Sequence, residues 1–280
     1  MNSALKNSIS TILKTALKED KVDSDITTTN LVDSSNITCE IIFKEQGILC
    51  GKEIISFLTK NYSKNIKIKW NNKDGDLIKK GAQVALIVGP ANKIFTLERI
   101  LLNFLQKTSG IATSTFNFGK FIKNTKIKIL DTRKTTPGWR LIEKYCVRAG
   151  GGTNHRTNLS ELILIKDNHI DFCNGVTAAL EKISNKKIKK EIEIEVKSIS
   201  QVNEALKFKI KRIMLDNFSI SNTIKAIKII RSFPDIEIEV SGGMNVAKIR
   251  RISKLDVDYV SVGSITHSSP SIDISMNVLK

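Results

Sequence analysis

Residues 129–169 read ILDTRKTTPGWRLIEKYCVRAGGGTNHRTNLSELILIKDNH, and this stretch carries the features that decide how the chain is interpreted. Two short apolar runs in it end abruptly in charged residues, the first at Asp131 and the second at Lys166. Three glycines, Gly150 to Gly152, lie between the two runs. Cationic side chains that gather at strand ends and in a glycine loop predict a pocket for a small polyanion. The cationic residues concerned are Arg133, Lys134, His155, Arg156, Lys166 and His169.

The net charge of +17 raises the alternative of a nucleic-acid binder. However, only 9 of the 45 basic residues are arginine, and five of these nine fall between Arg99 and Arg156, around the predicted pocket. The lysines are scattered along helix-like segments, and no nucleic-acid-reading motif is present. The composition therefore favours a lysine-coated surface around an arginine-containing site, and nucleic-acid binding remains the rival hypothesis.

Several features of the sequence indicate in which cellular compartment the protein is expected. No apolar run approaches the ~20 residues that span a bilayer. The N-terminus does not resemble a secretory signal, because Lys6, Lys14 and Lys18 interrupt its apolar stretches. It predicts instead an amphipathic helix with Ser3 as its cap. The four cysteines show neither zinc-binding nor disulfide-framework spacing, so we expect a reducing cytoplasm.

From about residue 111 the chain alternates short apolar strands with helix-like segments, and each strand ends in polar residues. Repeated β-α units of this kind predict an α/β barrel with its site at the carboxyl ends of the strands. An open doubly wound sheet is the alternative, but no G-x-G-x-x-G follows the first strand. Residues 1–110 predict a separate mixed α/β domain. The predicted strands span 127–130, 162–165, 192–196, 213–215, 236–240 and 259–262.

Two carboxylates follow successive predicted strands at the same mouth. Glu195 and Asp216 there provide ligands for Mg²⁺ or partners for ribose hydroxyls, whereas the alternative is that each caps a following helix. Glu193 and Glu237 alternate in similar strands, so a carboxylate within a strand is not by itself a sign of function. The residue types leave this choice open.

Two glycine turns follow late strands, Ser241-Gly242-Gly243 and Ser261-Val262-Gly263. Backbone N–H groups in such turns cradle phosphates, and barrel enzymes often place a phosphate at this position. The chain has three histidines, which we place in loops or at strand ends. His155 is predicted to contact substrate, His267 to order a phosphate, and His169 is equally compatible with a structural role.

The motifs DTRKTTPG, GGGTNHR and LIKDNH resemble the signature of the quinolinate phosphoribosyltransferase family, and the likeness extends over nearly the whole chain. The resemblance implies an α/β fold: an N-terminal α/β sandwich-like domain (1–110) and a small open α/β barrel of six to seven strands (111–269). Residues 270–280 are then expected to return to the N-terminal domain. The implied reaction transfers phosphoribosyl from phosphoribosyl pyrophosphate (PRPP) to quinolinate with decarboxylation, giving nicotinate mononucleotide.

The resemblance also implies a cytoplasmic homodimer that uses Mg²⁺, with Arg99 reaching into the neighbouring subunit's site. Its rivals are a sibling phosphoribosyltransferase for a monocarboxylate, which needs fewer cations, and a non-enzymatic polyanion binder. The residues assigned to quinolinate are Arg99, Arg133, His155, Arg156 and Lys166. The catalytic candidates are Lys134, Lys166, Glu195 and Asp216, and the last two are the candidate Mg²⁺ ligands. PRPP and its phosphates are assigned to Lys134, Glu195, Asp216, Ser241, Gly242, Gly243, Ser261, Gly263 and His267.

Overall fold

The computed structural model describes residues 2–186 and 188–279. The chain forms two compact units, each built from segments that are not contiguous in sequence. Unit 1 comprises residues 2–116, 135–151 and 265–279, and unit 2 comprises residues 117–134 and 152–264. Within the described residues, no helix combines the length and the apolar character needed to cross a membrane.

The elements in the first half of the chain belong mainly to unit 1, except the strand at Lys128–Leu130, which belongs to unit 2. They are α1 (Ser3–Glu19), a short 3-10 turn (Val22–Ser24), α2 (Ile26–Leu31), β1 (Asn36–Phe43), β2 (Gly47–Ile48), α3 (Lys52–Tyr62), β3 (Lys67–Trp70), β4 (Leu77–Ile78), β5 (Gln83–Pro90), α4 (Ala91–Gly119), β6 (Lys128–Leu130) and α5 (Arg140–Ala149).

The elements in the second half belong to unit 2, except the last strand and most of the last helix, which belong to unit 1. They are β7 (Ile163–Ile165), α6 (Asp167–Phe172), α7 (Val176–Ser184), β8 (Ile192–Val196), α8 (Ile199–Ala205), β9 (Arg212–Asp216), α9 (Ile220–Ile230), β10 (Glu237–Ser241), α10 (Val246–Ile252), β11 (Tyr259–Ser261), α11 (Ser264–His267) and β12 (Ile274–Val278).

Unit 1 is organised around a four-stranded antiparallel sheet with the order β12-β1-β5-β3, so its last strand pairs with its first. The predicted N-terminal helix is present, and Leu5, Ile9 and Leu13 are buried because their four-residue spacing places them on one face. Its predicted cap is wrong. The side chain of Asn2, rather than Ser3, accepts the Leu5 N–H at 2.9 Å.

The sequence predicts a helix over roughly residues 93–108, but α4 continues through Thr108-Ser109-Gly110 and ends at Gly119. A side chain at Gly110 would lie 2.0 Å from the carbonyl oxygen of Pro270, so the close approach of two backbones explains the glycine. The predicted domain boundary at residue 110 therefore falls within a helix, and the contact-defined unit 1 continues to residue 116.

Unit 2 is a sheet of six parallel strands in the order β6-β11-β10-β9-β8-β7. This confirms the predicted open α/β arrangement, because the ladders between described residues leave β6 and β7 at the two edges. All six predicted strands are present, and no strand end differs from its prediction by more than one residue. Ser198 caps α8 by accepting the Gln201 N–H at 3.2 Å.

The strands of unit 2 carry apolar residues on one face and charged residues on the other, because successive side chains alternate. Glu193 pairs in register with Arg212, which pairs with Glu237. One step further along the strands, Glu195 pairs with Met214, which pairs with Glu239. The sheet register therefore collects acidic and basic residues from separate strands on one face, in rows.

Candidate active site

Asp131, the first residue after β6, fixes the glycine-rich loop that carries the cations. Its side chain is fully buried. One carboxylate oxygen accepts the backbone N–H of His155 at 2.8 Å, and the other accepts the side-chain amide of Asn154 at 2.6 Å. The loop also joins the sheet edge, since Thr153 forms a bridge with Leu130. A buried acid in the first motif thus sets the position of His155 in the second.

Arg156 follows His155 and is half-buried, and its Nη1 donates to the carbonyl of Leu162 at 3.0 Å. Burial lowers the pKa of Arg156, and the positive charge of Arg133 lowers it further. The two arginines from separate motifs therefore lie close enough to repel each other. A ligand with negative charges relieves this repulsion, which makes the pair suitable for a dicarboxylate.

Both ring nitrogens of His155 are engaged by the protein. Nδ1 accepts the backbone N–H of Arg156 at 2.7 Å, so the ring proton lies on Nε2. Nε2 is 3.2 Å from both carboxylate oxygens of Glu193 and 3.6 Å from Oε2 of Glu239. His155 therefore links the cationic loop to buried carboxylates of β8 and β10.

Arg212 of β9 neutralises these carboxylates. Its Nη1 lies 3.0 Å from Oε2 of Glu239 and 3.6 Å from Oε2 of Glu193, while Nη2 lies 2.9 Å from Glu237. The guanidinium also stacks 4.1 Å from the centre of the Tyr259 ring. Burial opposes the charge on Arg212, but the neighbouring carboxylates outweigh it and raise its pKa.

Burial raises the pKa of Glu193 to about 7, against the lowering effect of Arg212. Burial and then the charge of Glu193 raise the pKa of Glu239 to about 7. The Oγ of Ser261 donates a hydrogen bond to Glu239. The cluster therefore holds two carboxyl groups that share one guanidinium, one imidazole and one hydroxyl.

Among the described residues, the donor atoms of His155, Glu193 and Glu239 are grouped closely enough to hold a metal ion. The guanidinium of Arg212 already occupies the position of the cation, at 3.0 Å from Glu239. A divalent ion here would be repelled by that fixed charge. These residues consequently fit an ion-pair network better than a metal centre.

The candidate catalytic residues lie further along the same strand face. The Nζ of Lys166, directly after β7, is 3.0 Å from Oε2 of Glu195 on β8, and Glu195 is only 8% exposed. Lys197 is hydrogen-bonded to Asp167, which is the main reason why its pKa is raised, and Asp216 and Glu195 raise it further. The negative charges of Glu195 and Asp216 thus both act on Lys197.

The turn after β10 packs tightly against the turn after β9. Gly242 has φ +90°, and a side chain there would lie 2.2 Å from Oδ1 of Asn217. Asn217 in turn donates from Nδ2 to Asp216 at 2.9 Å. Lys248 of α10 donates to the carbonyl of Gly242 at 2.6 Å, and Asp216 opposes the lowering of its pKa by burial. The predicted phosphate turn is thus bordered by a lysine.

The remaining predicted residues are placed as follows. Arg133 and Lys134 are exposed after β6, and Gly263 is half-buried after β11. Arg99 is exposed on α4, and both it and His267 belong to unit 1. The prediction that all histidines lie outside helices is wrong, because His267 ends α11 and His169 lies in α6. His169 Nδ1 accepts the Lys166 N–H at 3.0 Å, which gives it a role in starting that helix.

Sequence reasoning missed three groups in or beside the site: Arg212, Glu239 and Lys248. Glu239 and Arg212 alternate with apolar residues, a pattern also typical of a half-exposed sheet. Lys248 lies among many surface lysines, and its seven-residue separation from Ser241 gives no local signal. The register of the strands, rather than any motif, identifies the first two.

Comparisons with known proteins agree with this geometry. The family model for the N-terminal domain of quinolinate phosphoribosyl transferase matches residues 25–109, and the model for its C-terminal domain matches residues 111–277. A Bacillus subtilis protein named probable nicotinate-nucleotide pyrophosphorylase (carboxylating) is 38% identical over 261 residues, covering 93% of this chain and 90% of that protein. A chloroplastic nicotinate-nucleotide pyrophosphorylase (carboxylating) from Arabidopsis thaliana is 33% identical and covers 95% of this chain and 82% of that protein.

Among solved structures, the nicotinate-nucleotide pyrophosphorylase from Francisella tularensis superposes with a TM-score of 0.92 at 38% identity. The match covers 98% of this chain and 97% of that chain. Both domain models, the near-complete coverage of the relatives and the position of the cationic motifs at the strand ends lead to the same conclusion. The chain belongs to the quinolinate phosphoribosyltransferase family.

Proposed function

We propose that this protein transfers phosphoribosyl from PRPP to quinolinate and releases pyrophosphate and CO₂, forming nicotinate mononucleotide. The observation that carries the proposal is the placement of two arginines beside the end of β6: Arg133 follows that strand, and Arg156 follows His155, which Asp131 holds at the same strand end. Two forked cations at one place match two adjacent carboxylates on a ring. The printed names of the relatives support the same reaction class.

The reaction joins the ring nitrogen of quinolinate to C1 of the ribose while the bond to pyrophosphate breaks. Positive charge develops on the ribose in an oxocarbenium-like transition state, and negative charge leaves with the pyrophosphate. The 2-carboxylate then departs as CO₂, and the ring carbon takes up a proton. Arg133 and Arg156 hold the acid, Lys134 and Lys166 stabilise negative charge, and the turns at Ser241–Gly243 and Ser261–Gly263 bind phosphate, with His267 ordering the phosphate end.

Glu195 and Asp216 are the proposed holders of Mg²⁺. Their fit rests on the donor set: two carboxylates lie at the ends of neighbouring strands, and Mg²⁺ prefers such oxygen ligands. A bound ion supplies charge for the pyrophosphate as it leaves. The ion pair between Lys166 and Glu195 sets the orientation of that carboxylate.

We further propose a cytoplasmic homodimer in which Arg99 completes the site of the neighbouring subunit. Arg99 is exposed on α4, whereas the adjacent Leu97 and Ile100 are buried, so its guanidinium is available to another chain. Mixing inactive Arg99→Ala and Arg133→Ala proteins tests the shared site, because mixed dimers regain one intact centre. Continued inactivity after subunit exchange would exclude the contribution of Arg99 across an interface.

Turnover of the purified protein with PRPP and Mg²⁺ tests the reaction, with quinolinate in one set of assays and nicotinate in another. Nicotinate mononucleotide formed from quinolinate alone supports the proposal. Product from nicotinate indicates a sibling transferase. No product from either acid, together with steeply salt-dependent nucleic-acid binding that Arg133→Ala leaves unchanged, supports the rival polyanion binder.

A further inference from the structure

The buried cluster beneath the cationic loop, apart from Ser261, has no part in the reaction as described above. It consists of Glu193, Arg212, Glu239 and Ser261, and it reaches the loop through His155. Both carboxylates are fully buried, and the side chain of Arg212 is 17% exposed. Burying charges costs free energy that ordinary apolar packing avoids, so such a network calls for an explanation.

The contacts form a continuous chain from the sheet to the substrate-facing arginine. Ser261 donates to Glu239, and Arg212 bridges Glu239 and Glu193. Glu193 then receives Nε2 of His155 at 3.2 Å. On its other side the ring accepts the backbone N–H of Arg156 at 2.7 Å.

The geometry points to a specific role: we propose that Glu193 and Glu239 are positioning residues that set Arg156 for the dicarboxylate through the imidazole of His155. The inference rests on the proposed function, since it concerns how that site binds its acid. Two acceptors on one side of the ring fix its tautomer and its rotation. The other ring nitrogen consequently keeps the backbone of Arg156 in one place, from which its guanidinium extends.

The chain offers a matched control for this proposal. Glu237 shares the guanidinium of Arg212 with Glu239, at 2.9 Å against 3.0 Å, and stands two residues away on the same strand. Of these two carboxylates, Glu239 is the one recorded within ion-pair distance of His155, at 3.6 Å. Changes at Glu237 thus disturb the ion pair with Arg212 but leave the contacts that lead from Glu239 and Glu193 through His155 to Arg156, here called the relay, in place.

The kinetic test compares Glu193→Gln, Glu239→Gln and Glu237→Gln in the full-length protein. Misplacing Arg156 is expected to raise KM for quinolinate on the order of 10-fold in the first two variants, with KM for PRPP unchanged. The third variant should retain both wild-type KM values. Wild-type quinolinate binding in Glu193→Gln and Glu239→Gln, with the fold intact, would overturn the proposal.

Glu239→Asp guards against loss of folding, because it keeps a carboxylate on the side of Arg212 and draws it further from His155, which is already the longer contact. Glu237→Asp is its control. We expect the higher quinolinate KM in Glu239→Asp alone, and equal KM values in the two variants would contradict the relay.

A second readout follows the imidazole directly. The chain has only three histidines, so ¹⁵N-histidine spectra resolve each ring. We expect the His155 ring, assigned by comparison with the spectrum of His155→Gln, to be protonated at Nε2 with Nδ1 as acceptor. Its signals should shift in Glu193→Gln and Glu239→Gln but not in Glu237→Gln. Identical spectra in all three variants would exclude the relay. This readout needs no turnover, whereas a wild-type protein that neither binds nor converts quinolinate would refute the proposed function itself.

Discussion

The ammonium of Lys166 lies 3.0 Å from the carboxylate of Glu195, across the ends of two neighbouring parallel strands. Lys166→Met removes a charge that is placed to stabilise the leaving pyrophosphate and leaves a buried carboxylate unpaired. We expect kcat to fall on the order of 100-fold. Steady-state assays with both substrates measure this change.

Lys211→Met is the matched control, because Lys211 also forms an ion pair, at 3.3 Å from Glu237, and is similarly exposed. It lies just before β9, at the opposite end of the strands from the predicted site. It should leave kcat at the wild-type value. An equal loss of kcat in Lys166→Met and Lys211→Met would mean that kcat depends on the net charge of the protein rather than on the position of Lys166.

Arg156→Lys keeps the positive charge but removes the planar fork. Because a charged hydrogen bond contributes about 1.5–3 kcal/mol, kcat/KM for quinolinate should fall roughly 10- to 150-fold. Arg231→Lys alters a comparable fork that binds Asp256 and Asp258 at the surface. Arg231→Lys should change the KM of neither substrate. A loss of kcat/KM for quinolinate in Arg231→Lys as large as in Arg156→Lys would argue against the specific role of Arg156.

Gly242→Ala should destabilise the protein and weaken PRPP binding. The added carbon would lie 2.2 Å from Asn217, at a φ of +90° that L-residues rarely adopt. We expect a loss of about 1–3 kcal/mol in the free energy of unfolding, measured by urea titration. Gly243→Ala is the control, because its φ is +52° and no atom lies within 4 Å of the added carbon. We expect the free energy of unfolding to fall less in Gly243→Ala than in Gly242→Ala.

The raised pKa of Glu239 makes stability depend on pH. Burial and the charge of Glu193 raise this pKa from 4.5 to about 7, while His155, Ser261 and Arg212 act in the opposite direction. Between these values the folded protein holds a proton that the unfolded chain has released. This group's contribution to the free energy of unfolding therefore decreases as pH rises from about 4.5 to about 7, by at most about 1.4 kcal/mol per pH unit.

Glu239→Gln removes this titration, so its unfolding free energy should decline less steeply over the same pH window. Urea titrations at about pH 5 and about pH 7.5 compare the two proteins. Glu237→Gln serves as the control and should keep the wild-type slope. An unchanged slope in Glu239→Gln would show that another group titrates there.

The sequence was sufficient for the sheet of unit 2, because each strand is a short apolar run that stops at a polar residue. The signal is local, because each strand end is marked within its own segment, and the carboxyl ends of parallel strands meet at one edge of a sheet.

The network around His155 was not predictable in the same way. Glu193 and Glu237 were set aside because alternating charge in a strand usually faces water. What buries Glu193 and Glu239 is the register of three strands around Arg212, and register is not visible in any one of them. The continuation of α4 past Thr108 was missed for a related reason, since the contact of Gly110 with Pro270 is distant in sequence.

The pairing of β12 with β1 has a consequence for how the protein is made. Synthesis proceeds from the N-terminus, so β1 leaves the ribosome long before its outer neighbour exists. In that interval Cys39, Ile41 and Phe43 belong to a strand with one unpaired edge, which is a template for association with other chains. Residues 117–134 and 152–264 are complete earlier, so the parallel sheet can form while the antiparallel sheet still waits for its last strand.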